Sequence, residues 1–210
     1  ALLSLSIPVP ALLPIAVSLP PIAFGDPVKT AISSLFAFAS TAIPKAVSLS
    51  VDPSRFLVSC SNPQDLLPII LFDALIENVD RDSNGGNALY EINSRIIYII
   101  DQGNIFGAGD IWDENTLLEH GNRALSFEFS PKGIYQVMFE SYDLKRYKGA
   151  TAKRFQKLTK RSFSDILREL PEEWNCSLEE QRALDDYLQK RFVAYNKMLE
   201  LILRAGERQE

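Results

Sequence analysis

The first 60 residues alternate short apolar runs with prolines. Leu12–Leu19 and Ala46–Val51 are apolar runs of strand length, and Pro-containing turns separate such runs. Asp26–Ser34 reads as a short helix or turn. The pattern changes at Asn62-Pro63. Asn62 suits a helix cap, and Pro63 suits the first helical position, where its missing N–H has no partner to lose. The helix predicted over 64–79 (QDLLPIILFDALIENV) is apolar at Leu66, Ile69, Ile70, Ala74 and Ile76. Those positions lie on more than one side, which predicts a largely buried helix, with Pro68 tolerated near its first turn. A polar loop, DRDSNGG over 80–86, follows. Tyr90–Ile92 and Arg95–Ile100 flank Asn93-Ser94 as a hairpin would, and Asp101-Gln102-Gly103 closes the second strand.

Residues 107–125 show no regular pattern, and Ser126–Ser130 and Gly133–Phe139 are mixed. From Thr151 onward the spacing predicts helices. Phe163–Leu170 is a short one, ended by Pro171. Ser177 caps the last helix, and Glu180 completes a capping box. Leu184, Tyr187, Leu188, Tyr195, Leu199 and Ile202 then form one apolar stripe, which reads as core.

Composition adjusts this picture in four places. The first 25 residues carry no charge, which raises a signal peptide or a membrane span. Pro8, Pro10, Pro14, Pro20 and Pro21 argue against a spanning helix, and no basic segment precedes the stretch, so buried strands and turns are expected. The chain opens at Ala1 without methionine, which reads as a processed chain or one lacking its N-terminal part. With 46% apolar residues it can bury a core without disulfides. Net charge of −5 argues against sequence-independent nucleic-acid binding. The exception is 145–161, with eight basic residues and no acidic one. It reads as a solvated face, its functional alternative being a dock for an acidic protein, RNA or anionic lipid. Cys60, Cys176 and the single His120 give no zinc-type spacing and point to a reducing, cytoplasmic compartment, with His120 an ordinary loop residue.

The candidate chemistry sits between Leu71 and Phe106. Phosphoryl transfer needs an aligned nucleophile and metal ions to neutralise charge, and little covalent help. A buried helix ending in a loop with Asp80 and Asn87 supplies two oxygen-bearing groups from one support, and a returning hairpin brings Asp101. Asp80 is the expected base for a substrate hydroxyl. Asn87 and Asp101 are the expected magnesium ligands, one neutral oxygen and one charged. Arg81 is expected to form a structural ion pair with Glu77 or Asp73, and Glu77 and Asn78 to satisfy backbone groups at the helix end.

The segments LFDALIENVDRDSNGGNALY and IIYIIDQGNIFG resemble the HipA-like kinase domain, within the wider group of protein and phosphatidylinositol kinases. LSIPVPALLPIAVSLPP is similar to the segment that closes that family's N-terminal lobe, FAFASTAIPKAV to the strand pair that follows it, and DILRELPEEWN to its C-terminal helices. The resemblance implies an α+β kinase-like fold, mainly the helical C-terminal lobe. Residues 1–60 would be the remainder of the N-terminal lobe and 61–210 the catalytic lobe. It implies ATP and Mg as cofactors, a protein Ser/Thr hydroxyl as acceptor, and an antitoxin-like or regulatory protein as partner. By residue it makes Asp80 the catalytic aspartate, Asn87 the metal asparagine and Asp101 the metal aspartate. This chain departs from the family in placing Asp82 where a histidine is usual and Gln102 where a phenylalanine is frequent. Its longer Asp80–Asn87 gap also makes Asn84 a rival ligand. Lys29 and Lys45, the lysines ahead of the predicted helix, do not follow a Gly-rich phosphate loop. The alternatives are therefore a kinase-fold binding or regulatory module without turnover, and a lipid or small-molecule kinase.

Overall fold

The computed structural model describes residues 45–107, 112–159, 163–168 and 177–208. The expectations for Leu12–Leu19, Asp26–Ser34, Lys29 and Cys176 lie outside these. The architecture is α+β: a three-stranded antiparallel sheet beside a helical body.

Strand β1 (Ala46–Ser48) pairs with β2 (Ala88–Glu91), and β2 with β3 (Ile97–Ile99). Register is fixed by Val47 opposite Tyr90 and by Ala88 opposite Ile99. The β2–β3 turn is the hairpin expected at Asn93-Ser94, and Glu91 fastens it by accepting from the N–H groups of Asn93 (2.9 Å) and Ser94 (2.6 Å). The sheet thus joins chain from both sides of residue 60.

A short helix α1 (Pro53–Leu57) leads to a 3-10 turn at Pro63–Asp65 and to helix α2 (Leu66–Leu75). Helix α2 is apolar on nearly every side, with Leu66, Leu67, Ile69, Ile70, Leu71 and Leu75 at most 1% exposed. It ends earlier than the expected residue 79. Its last carbonyls have no intrahelical partner, and Arg191 takes two of them, donating to Leu75 O (3.0 Å) and Ala74 O (2.9 Å). Asn62 does not cap α2. Its side chain is buried and pairs with the backbone of Ile97 in both directions, at 2.9 and 3.1 Å, acting as a strand edge for β3.

The stretch expected to be irregular contains a helix, α3 (Glu114–Asn122), capped by Asp113 accepting from the Thr116 N–H (2.8 Å). Helix α4 (Ile134–Ser141) follows, then α5 (Lys148–Leu158) and α6 (Phe163–Leu167). The single long helix expected after Ser177 is two, α7 (Leu178–Val193) and α8 (Tyr195–Glu207), broken at Ala194. The Ser177/Glu180 capping box is present. Leu184, Tyr187, Leu188, Tyr195, Leu199 and Ile202 are all buried. Helix α8 packs on α2 and α5, and α7 packs on α3 and α6.

The basic run is partly neutralised within the fold. Lys145 meets Glu207 (2.5 Å), Lys148 meets Glu200 (2.5 Å) and Arg154 meets the buried Asp65 (2.8 Å). Among the described residues no helix is long and apolar enough to cross a membrane.

Candidate functional site

The segment after α2 is a polar loop held by one buried cation. Arg81 is fully buried and pairs through Nε with Asp73 on α2 (2.8 Å). Its Nη1 donates to the carbonyls of Asn87 and, at 2.7 Å, Ile100, and its Nη2 to that of Asp101 (3.4 Å). The planar fork of a guanidinium suits such convergent acceptors. One side chain therefore ties the helix end, the start of β2 and the loop after β3 into a single unit. Of the two partners expected for Arg81, the structure gives Asp73.

Asp80 and Asn87 meet directly, with Asn87 Nδ2 donating to Asp80 Oδ2 at 2.6 Å. An ionised carboxylate only accepts, so the amide nitrogen must face it, and the amide oxygen is directed away. Asn84 (3.4 Å) and Asn104 (3.3 Å) also donate to Asp80 Oδ2. Asn78 supports the loop from below, its Oδ1 accepting from the N–H groups of Asp80 and Arg81, each at 3.1 Å. That is the backbone role expected of it.

Asp101 stands next to Ile100, whose N–H donates to Asn87 O (3.0 Å). Its φ of 53° is left-handed, a region that Asp tolerates better than most residues. Its Oδ1 accepts from the Gly103 N–H (3.0 Å), and the residue is exposed. Asn84 Oδ1 is engaged by the Gly86 N–H (3.1 Å), whereas Asn87 Oδ1 has no partner among the described residues. No group of three or more His, Cys, Asp or Glu among the described residues could hold a metal unaided. Among the described residues of this loop, Asp80 Oδ1, Asn87 Oδ1 and Asp101 Oδ2 accept no hydrogen bond and are free to meet a cation. This is a hard-oxygen set that suits an ion taking its other ligands from phosphates and water.

Asp82 and Gln102, the two residues expected to depart from the resembled pattern, have structural partners. Asp82 is buried and accepts from the N–H groups of Ser130 (2.6 Å) and Tyr135 (2.9 Å), so it caps the start of α4. Burial pushes its carboxyl up, against these backbone bonds. Gln102 is fully buried and accepts from Asn78 Nδ2 at 2.8 Å.

Two expectations are corrected. His120 lies on α3, not in a loop. It is buried, with Nδ1 3.0 Å from Glu77 Oε2. The Glu77 carboxylate meets side chains and not the backbone groups expected: the Tyr187 hydroxyl donates to its Oε2 (3.1 Å), and Arg191 stands 3.6 Å from its Oε1. Burial and the neighbouring Glu77 hold the Tyr187 hydroxyl well above the usual tyrosine range. Lys45 is exposed at the turn before β1.

The sequence reading also missed Asn104, although asparagine recurs around Asp80 at 78, 84, 87 and 104. It missed a cleft of about 390 Å³ as well, which opens beside the loop between Asn78, Val79, Arg123, Phe127 and Glu128.

The sequence profile of a family described as HipA-like kinase matches residues 2–200. No curated protein and no solved structure matches the chain.

Proposed function

The chain belongs to the HipA-like kinase family, and from that premise we propose that it transfers the ATP γ-phosphate to a serine or threonine hydroxyl of a protein. Asp80 is the base, and Asn87 and Asp101 are the residues that hold Mg. The kinase-like α+β fold and the family accord with a phosphotransferase that uses ATP. Under the same reading residues 1–60 complete a small N-terminal lobe, and 61–210 form the catalytic lobe.

The observation that carries the reading is the Asp80–Asn87 contact at 2.6 Å on a loop fixed by Arg81. A bound Mg would supply charge neutralisation on the phosphate oxygens, with Asn87 Oδ1 and the Asp101 carboxylate as its protein ligands. The rest of the chemistry belongs to Asp80. Its carboxylate takes the acceptor hydroxyl proton as the new O–P bond forms and the bond to the β-phosphate oxygen breaks, releasing ADP. The amides of Asn84, Asn87 and Asn104 orient the carboxylate. The engaged oxygen of Asn84 makes Asn87 the better ligand of the two.

One observation favours a second reading, a kinase-fold regulatory module. Gln102 buries an amide nitrogen without a partner among the described residues, beside the candidate metal aspartate. A buried orphan donor destabilises, and a loop kept for turnover would be expected to avoid it.

Titration calorimetry of ATP with and without Mg, on wild type and Asp101→Ala, tests the metal assignment. Mg-dependent heat in the wild type alone is expected, and equal metal-independent heats would overturn it. Radiolabel transfer to protein should vanish in Asp80→Ala. Transfer that survives removes Asp80 from its role. Label appearing only in lipid or small molecules would replace the protein acceptor.

A further inference from the structure

We propose that the cleft beside Asp80 receives a lysine or arginine side chain flanking the acceptor serine or threonine of a protein substrate, and that Glu128 reads its charge. This rests on the protein-kinase reading above and deepens it.

Position comes first. Asn78 and Val79 line the cleft. Asp80 is the next residue, one Cα step of about 3.8 Å along the chain. An extended substrate advances about 3.3 Å per residue, so a side chain within about three positions of the acceptor reaches the cleft. Its volume of about 390 Å³ lies in the lower part of the range that holds small ligands and single long side chains.

The walls suit an amphipathic chain. Val79 is 59% exposed, and Ala124 and Phe127 face the same space. Lysine and arginine stems cover such apolar surface while the charged head stays at a polar rim.

The charges lining the cleft do not cancel. Asp73 is matched by Arg81, and Glu77 by Arg191 with His120 against it. Arg123, the cation at the mouth, is taken by Glu119 at 2.5 Å. That leaves Asp82 and Glu128. Asp82 is met by backbone N–H groups, with no cation against it among the described residues. Glu128 is exposed and has no partner among the described residues. Both uncompensated groups are negative, so a cation complements the cleft and an acidic side chain is repelled.

The test uses the full chain and two sets of peptides with lysine, arginine, alanine or glutamate at each position near a central residue. In the first set the central residue is alanine, and binding is read by fluorescence anisotropy. In the second it is serine, and phosphate transfer is read with ATP and Mg. Basic peptides should bind better than alanine peptides by about fivefold, the size of one partly exposed ion pair. Raising the salt should reduce that preference. Glu128→Gln should abolish most of the preference, and Glu128→Lys should turn it toward glutamate.

A basic preference that survives Glu128→Lys overturns the proposal. So does the absence of any flanking preference in the wild type, or competition by free arginine as strong as by the peptide. Because binding is read without turnover, the two readings fail separately. Loss of transfer with Glu128-dependent binding intact would refute the kinase reading and leave the cleft assignment standing.

Discussion

Removing Arg81 should be among the most damaging single changes the chain can suffer. Its ion pair with Asp73 has side-chain exposures of 0% and 1%, so Arg81→Ala leaves a carboxylate buried without its cation. Breaking a buried pair from one side costs about 3–5 kcal/mol. The carbonyls of Asn87 and Ile100 also lose a donor, at about 1–3 kcal/mol each where water cannot replace it. Tyr135 and Asn78 still donate to Asp73, at 2.6 and 3.4 Å, which softens the loss. These terms share groups and do not simply add, so about 5 kcal/mol is the working expectation. That is a large share of the roughly 5–15 kcal/mol that holds a domain together. Urea unfolding followed by far-UV circular dichroism should show the midpoint falling by about 2 M. The double variant Asp73→Asn/Arg81→Met buries no unpaired charge and should recover at least about half of the loss. An Arg81→Ala midpoint within about 0.5 M of wild type would refute the hub role. A double variant no better than the single would refute the electrostatic account of it.

Three other changes probe the same framework. Gly133→Ala places a Cβ 2.3 Å from Asp82 Oδ1 and 2.8 Å from Asp82 O, so it should displace the cap of α4. Overpacking of this kind costs about 1–3 kcal/mol and is read by thermal unfolding. Asn104→Ala removes one of three amides on Asp80, and should lower kcat about tenfold with the KM for ATP little changed. A rise in KM alone would place Asn104 in nucleotide binding instead. Glu91 has its carboxyl held below the usual range by the Ser94 hydroxyl, then by the N–H groups of Asn93 and Ser94. A depressed folded value means its stabilisation is present above the unfolded pKa, about 4.3, and is lost as pH falls through the folded one. Glu91→Gln should therefore flatten part of the decline in thermal midpoint between about pH 5 and pH 3.

What the sequence made legible is what local rules govern. The capping box at Ser177 and Glu180, the hairpin around Asn93-Ser94 and the apolar stripe of α7 and α8 each follow from spacing alone. Helix α3 was not legible because its buried positions are Leu117 and His120, and a histidine does not register as core. The break at Ala194 was hidden because the stripe runs through it without losing phase. Asn62 was misread for a different reason. An asparagine before Pro63 satisfies every local criterion for a cap, yet its amide matches the edge of β3, 35 residues away. Long-range pairing outcompeted the local bond because it satisfies a donor and an acceptor of a buried strand together.

The same distinction bears on the departures from the family pattern. Taken one at a time, Asp82 and Gln102 look like losses from a catalytic loop. Each has a reciprocal partner in the fold. Asp82 faces Gly133, whose missing side chain makes room for it, and the first N–H groups of α4, which need an acceptor. Gln102 faces Asn78, whose amide nitrogen points to it while the amide oxygen holds the backbone of Asp80 and Arg81. A change that only eroded the site would leave no partner fitted to it. With Asp82 and Gln102 in these positions, Arg81 holds the carbonyls of Asn87 and Asp101, and Asn87 meets Asp80. The regulatory reading therefore rests on the Gln102 nitrogen, which has no partner among the described residues, and on nucleotide binding. The Asp101→Ala calorimetry reaches nucleotide binding without requiring a substrate to be known.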